Sequence, residues 1–457
     1  MTIKKTSLLL LILCACEGST LDRTFVPSNQ DGGAQGLDRG FTFDGAAPVD
    51  GGVGLDGGLD PDGGSEPDAN PLDVGMDAGF GDAVVPDSGP ADTGLVPCGF
   101  DEPGPADKAR VIVLGHPFGA QSGMPGTDIR TLNLATDGTI TDDGTRIDLG
   151  FRVARLEMVP SGEILLALGE DGELASLRVN SATNLNVLDQ IQLPAAGYGD
   201  LRIAEDGQTV IVAGENVDQT SGLSTVYLAC DGRLIAAPNE FFNIRLSSSF
   251  VMIPGTSQVV LLGGQTVFAP IDPDDLRVLS RTPGQGFTSV NTFDIWMDFI
   301  DALRIGATPD GRIIIVPNGS PFSNEGSQAS VLQLNGNNLS ELERLTGLDD
   351  AREVIFSPDG TTALISLLSP GHLAVITDPG TGWAEVDRIR GIGLAEQLAM
   401  VSRGALSGRV YVPSVDANGG PNLASVAFGM PGVVSNLGQI ELGSGNEEIP
   451  GPIAVTP

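Results

Sequence analysis

The stretch VIFSPDGTTALISL, Val354 to Leu367, decides the architecture. Two apolar runs flank Ser357-Pro358-Asp359-Gly360. Pro presets one φ angle, and Asp-Gly supplies the positive φ angles expected of a tight two-residue hairpin turn. The same unit reads IAEDGQTVIVAGE (203–215) and IGATPDGRIIIVP (305–317). Weaker copies are MVPSGEILLALGE (158–170), VMIPGTSQVVLLGG (251–264) and AMVSRGALSGRVYVP (399–413). Their turn glycines are Gly162, Gly207, Gly255, Gly311, Gly360 and Gly408, spaced 45, 48, 56, 49 and 48 residues apart. A second, alternating hairpin follows most copies, as in SVLQLNGNNLSELERL (330–345) and HLAVITDPGTGWAEVDRI (372–389). Four short strands per period of about 50 residues, with no long helix, describe a propeller blade.

Six internal turns leave the ends of the repeat region. Residues 110–114, 128–134 and 139–149 read as a second, third and fourth strand, and 451–457 as their first. Joined, they make a seventh blade and remove two sheet edges. The expected fold is all-β: one seven-bladed propeller over residues 104–457, closed by both chain ends. The segment 284–300, Gly-rich and then FDIWMDF, reads as an insertion between the fourth and fifth blades.

The 457 residues carry 24 Lys+Arg against 59 Asp+Glu, a formal net charge of −35. That balance argues against a nucleic-acid partner, which needs basic surface to replace phosphate counterions. Residues 1–15 read as a signal segment: Lys4 and Lys5, then an apolar run at 8–13, too short to span a bilayer. Residues 16–103 read as a disordered acidic tether. Residues 17–107 hold 19 acidic and two basic side chains, with Asp-Gly-Gly repeats and no apolar period. Such a segment buries too little to offset its ordering entropy. As coil it reaches about 50 Å.

Leu13-Cys14-Ala15-Cys16 resembles a bacterial lipobox. The resemblance implies cleavage before Cys16, its acylation, and, with Glu17 next, an outer-membrane lipoprotein. The repeat region resembles seven-bladed propellers of the YVTN and lactonase-like type, and more distantly TolB-type repeats. Ser357-Pro358-Asp359-Gly360 and Tyr411-Val412-Pro413 carry that resemblance. Lactonase-like relatives imply an acidic metal site with few fixed motifs.

Second-to-third-strand loops and blade connections of a propeller gather on one face. The longest polar loops, 115–127, 215–222, 318–328 and 414–422, belong to it, which makes it the expected binding face. Arg155, Asp200 with Arg202, Arg245, Asp301 with Arg304, and Asp350 with Arg352 fall near the starts of first strands. They are expected to ring the channel mouth. Convergent guanidinium groups could hold a carboxylate or phosphate; the acid beside each Arg favours structural pairing instead. Asp128, Asp294, Asp298, Glu325 and Asp416 are the candidate metal ligands for a hydrolase. His116 and His372 lie in no metal-ligand spacing. Cys98 and Cys230 form a candidate disulfide. The expected function is a membrane-anchored binding or scaffold module, a monomer that meets a protein or glycan on the loop face. No cofactor is expected for it. The alternative is a lactonase-like hydrolase with a divalent metal at the channel mouth.

Overall fold

The computed structural model describes residues 97–102, 110–115, 126–193, 195–196, 199–216, 221–244, 247–263, 276–295, 304–318, 328–368, 371–393, 397–415, 420–442 and 451–457. The expectations for the signal segment, Cys16 and nearly all of the tether lie outside them. Seven antiparallel sheets follow one another around a ring. The sixth blade shows the common order from axis to rim: Ala351–Phe356, Thr362–Leu367, His372–Thr377 and Ala384–Ile389. In the first blade the order is Ile453–Val455, Arg110–Gly115, Asp128–Leu134 and Ile140–Asp148, so both chain ends share one sheet. In the third blade two short pieces, Ala195–Ala196 and Leu201–Ile203, both line the inner edge of Thr209–Asn216.

Seven apolar clusters lie among the described residues, one at each junction between neighbouring blades. Strand alternation explains why second strands are apolar throughout. Val111 and Val113 point into the junction with the second blade, while Ile112 and Leu114 point into that with the seventh. Both faces of the strand are therefore core, and each fully buried aliphatic side chain stabilises by about 1.5–3 kcal/mol.

Two expectations are corrected. At the hairpin turns only the glycines take positive φ, between +67° and +80° at the six turn positions. Asp359 does not. In the Ser357–Gly360 turn the Gly360 N–H donates to the Ser357 carbonyl at 2.8 Å, and the Ser357 N–H to the Thr362 carbonyl at 2.7 Å. This is a longer loop built on an ordinary turn that ends in a left-handed glycine. Asp359 serves it by accepting from Ser357 Oγ at 2.5 Å and the Thr361 N–H at 3.1 Å. Those bonds hold its carboxyl below the usual range. Second, Gly286–Phe293 is no insertion; it is the outer strand of the fourth blade, and Ile295 behind it is fully buried.

Every outer strand is bulged or shifts register against its third strand. In five blades the residue left unpaired is aliphatic: Leu188, Val290, Leu342, Val386 and Leu437. Two residues on, Arg344, Arg388 and Gln439 donate to the carbonyls of Ile295, Gly347 and Gly391 at 2.6, 3.0 and 2.7 Å. Each bond ties an outer strand to the connection arriving from the blade before.

Candidate functional site

Inner strands run from the loop face to the turn face, so residues near their starts occupy the loop-face half of the channel. Asp200, fully buried, is the centre of the group found there. Its carboxylate lies 3.4 Å from Arg202, 3.3 Å from Arg304 and 4.0 Å from Arg155. It also accepts from Ser249 Oγ at 2.9 Å and the Leu201 N–H at 2.9 Å. Arg304, from the fifth blade, continues across the axis. It pairs with Glu157 of the second blade and lies 3.6 Å from Glu353 of the sixth. Its guanidinium also donates to the Leu201 carbonyl at 3.0 Å, and Arg202 donates to the Ile305 carbonyl at 2.9 Å. Glu353 accepts from the Leu398 N–H of the seventh blade at 3.2 Å. Three guanidinium groups and three carboxylates thus meet inside the channel, joining the second and third blades to the fifth and sixth across the axis.

Burial alone would raise the Asp200 carboxyl. Arg202, Arg304 and Arg155, with the Ser249 hydroxyl, outweigh burial and hold it below its ordinary value. Glu353 goes the other way: burial dominates and lifts it despite Arg304, Arg155 and Arg202. Burial and the neighbouring Arg304 lower Arg202. Burial opposes the charge on Arg304, but Glu157, Asp200 and Glu353 prevail and raise it. The arrangement is a charge-balanced plug.

Of the residues expected at the mouth, Arg155, Asp200, Arg202 and Arg304 are brought together. Asp350 and Arg352 form their own pair, Arg352 Nε donating to Asp350 at 2.7 Å. Asp350 is also the one described non-glycine with positive φ, +56°. Arg245 and Asp301 lie outside the described residues. Glu157 and Glu353 were not anticipated. Their signal was present: Glu157 stands two residues after Arg155, hence on the same side of its strand, and Glu353 directly follows Arg352.

Among the candidate metal ligands, Asp298, Glu325 and Asp416 lie outside the described residues. Asp128 is 3.3 Å from Arg146 in the first blade, while Asp294 directly follows the outer strand of the fourth. Among the described residues no group of three or more His, Cys, Asp or Glu is arranged to hold a metal ion.

A second buried ionic group sits at the rim between the third and fourth blades. Glu240, 1% exposed, accepts from Tyr227, from Arg281 Nε at 2.9 Å and from the Gly284 N–H at 2.6 Å. Arg281 also donates to the Tyr227 hydroxyl at 2.9 Å and lies over its ring at 5.7 Å. Burial pushes the Tyr227 hydroxyl up to about 12, helped by Glu240. Cys98 and Cys230 are joined, with Cα atoms 5.0 Å apart.

No protein-family model matches this chain, and no curated protein matches it. Solved structures do. A putative 6-phosphogluconolactonase from Bacteroides fragilis is 12% identical, with a TM-score of 0.58 over 78% of this chain and 100% of that one. One from Bacteroides uniformis is 14% identical, with a TM-score of 0.57 over 76% and 99%. The periplasmic gluconolactonase of Pseudomonas aeruginosa is 16% identical, with a TM-score of 0.57 over 76% and 99%. This chain shares the seven-bladed propeller fold of those structures. At these identities the likeness is one of fold, and the propeller's chemistry must be argued from its own residues.

Proposed function

We propose that the protein is an outer-membrane lipoprotein, anchored through acylated Cys16, whose propeller is a binding module displayed on a tether. One observation carries this reading. The channel carboxylates Asp200, Glu157 and Glu353 are each engaged by arginine, with Arg304 shared by all three. A carboxylate held this way is a poor metal donor, because a metal would have to displace a buried guanidinium and leave it unpaired. The group therefore favours a rigid scaffold over a catalytic mouth. Residues 97–102 pack on the turn face beside Gly207, which leaves the opposite, loop-rich face for a protein or glycan.

The fold it shares with a periplasmic gluconolactonase favours a second reading, lactone hydrolysis at a divalent metal in the channel mouth, with Asp128, Asp294, Asp298, Glu325 and Asp416 as candidate suppliers of its ligands. The full chain carrying Cys16→Ser separates the two. Its melting temperature is measured with EDTA and after adding back calcium, magnesium, zinc and manganese, beside hydrolysis of a sugar lactone. A ligand specific for the folded state must raise the melting temperature. Unchanged melting and no hydrolysis are the outcome expected of a binding module. A metal-dependent rise with lactone turnover overturns it. The anchor is checked separately, by mass spectrometry of acyl chains on Cys16.

A further inference from the structure

On the turn face, three of the six turn glycines are covered by the turn before them. Gly311 is covered by Ile253 and Pro254 of the preceding turn, Gly360 by Thr308 and Pro309, and Gly162 by Thr456 and Pro457. At Gly207, Phe100 and Asp101 take that place instead: a Cβ there would lie 2.5 Å from the Phe100 carbonyl carbon. Phe100 is 3% exposed and packs into the cluster between the second and third blades. Its carbonyl accepts the Ser161 N–H at 2.8 Å. The Cys98 N–H donates to Gln208 Oε1 at 3.1 Å, and the disulfide binds Cys98 to Cys230, 132 residues further on. Residues 97–102 are therefore a strap fastened across two blades by a wedge and a covalent bond.

The next described element along the chain is Arg110–Gly115, the second strand of the closing blade. Its inner partner is only three residues long, held through Ile112↔Val455, Val113↔Ala454 and Leu114↔Ile453. We propose that the strap is a strain relief: tension arriving along the N-terminal tether passes through Cys98 into the third blade and never reaches the closing strand. Without the bond, tension would enter Arg110 at the turn-face end and open the strand pair by pair, which loads one hydrogen-bonded pair at a time. With the bond, a covalent link takes it first. The inference rests on reading the residues before 97 as a tether.

Single-molecule pulling on the full Cys16→Ser chain tests it. One handle is placed at the N-terminal end. The other is attached through an azide-bearing side chain replacing Leu342, exposed on the outer strand of the fifth blade. The disulfide-bonded chain is expected to lack an early extension. The reduced chain, and the paired variant Cys98→Ser with Cys230→Ser, are expected to show one of roughly 100 Å at lower force, the length of about 30 residues released up to the next strand. Phe100→Ala with the bond intact is expected to behave as the bonded wild type. An early step in either bonded chain, or no step in the reduced one, overturns the proposal. The tether reading has its own signature, a compliant stretch at low force before any step. Its absence would remove the tether while leaving the strap result readable.

Discussion

The channel group and the rim group are both buried and ionic, yet they fasten the ring in different ways. The rim group joins two neighbours: Tyr227 and Glu240 of the third blade with Arg281 of the fourth. The channel group joins the second, third, fifth and sixth blades through Arg304 and Asp200. A clip between neighbours adds to a junction that apolar packing already holds. A tie across the axis has no apolar cluster beside it, because opposite blades share no junction. The same chemistry therefore carries different weight, depending on what else connects the parts.

That contrast predicts an order of effects. Arg304→Met leaves Asp200 and Glu353 buried with one guanidinium fewer. A loss of about 3–5 kcal/mol is expected, the usual cost of breaking a buried pair from one side, read from the urea midpoint. Glu240→Gln at the rim should cost less, about 1–3 kcal/mol, because Arg281 keeps the Tyr227 hydroxyl. A rim loss equal to the channel loss would break the comparison. Tyr227→Phe removes only the hydroxyl bridging Glu240 and Arg281, and about 1 kcal/mol is expected by the same denaturation assay.

Acidity sharpens the contrast further. Glu240 and Asp200 are held below their ordinary values. Their contributions are full above the unfolded carboxyl values, about 4, and are lost as pH falls through the depressed folded values. Glu353 is raised, so its folded form binds a proton more tightly than the unfolded chain. Its contribution is present below about pH 4.3 and lost as pH rises through the folded value. Glu353→Gln should therefore gain on the wild type as pH climbs above about 4.3. The deficit of Glu240→Gln should shrink as pH falls. Urea midpoints between pH 3 and 7 measure both slopes, and parallel slopes would show that the two groups titrate alike.

The repeat was legible because each blade needs a glycine in the same left-handed turn position and two apolar faces on the same strand. The turn type was not, since Asp-Gly suits both a two-residue primed turn and the longer loop that formed. Gly286–Phe293 was not legible as a strand because its polar residues hide the alternation of a strand whose solvent side is broad. The channel group was half legible. Asp200, Asp301 and Asp350 precede Arg202, Arg304 and Arg352, whereas Glu157 and Glu353 follow Arg155 and Arg352. The rim group could not be read at all: residues 238–240 leave the strand ladder, Thr225 pairing with Ala237 and Ser224 with Phe241, and only that detour carries Glu240 to its partners. The outer-strand fasteners lie in LERL, VDRI and LGQI, at matching places in the fifth, sixth and seventh blades, but nothing in the residues themselves says that a bulge makes them point backward.

Closure by both termini also sets the order of events when the chain folds. Arg110 finds the Pro457 carbonyl across 347 residues. Three strands of the first blade can assemble early, and their inner edge then stays open until the last residues arrive. The ring is thus finished by its longest-range contact, the slowest kind to form because its loop-closure entropy must be met before any pairing rewards it. Until then the half-made ring presents one unpaired apolar edge, which makes the wait for Ile453–Val455 the most aggregation-prone interval in the protein's biogenesis.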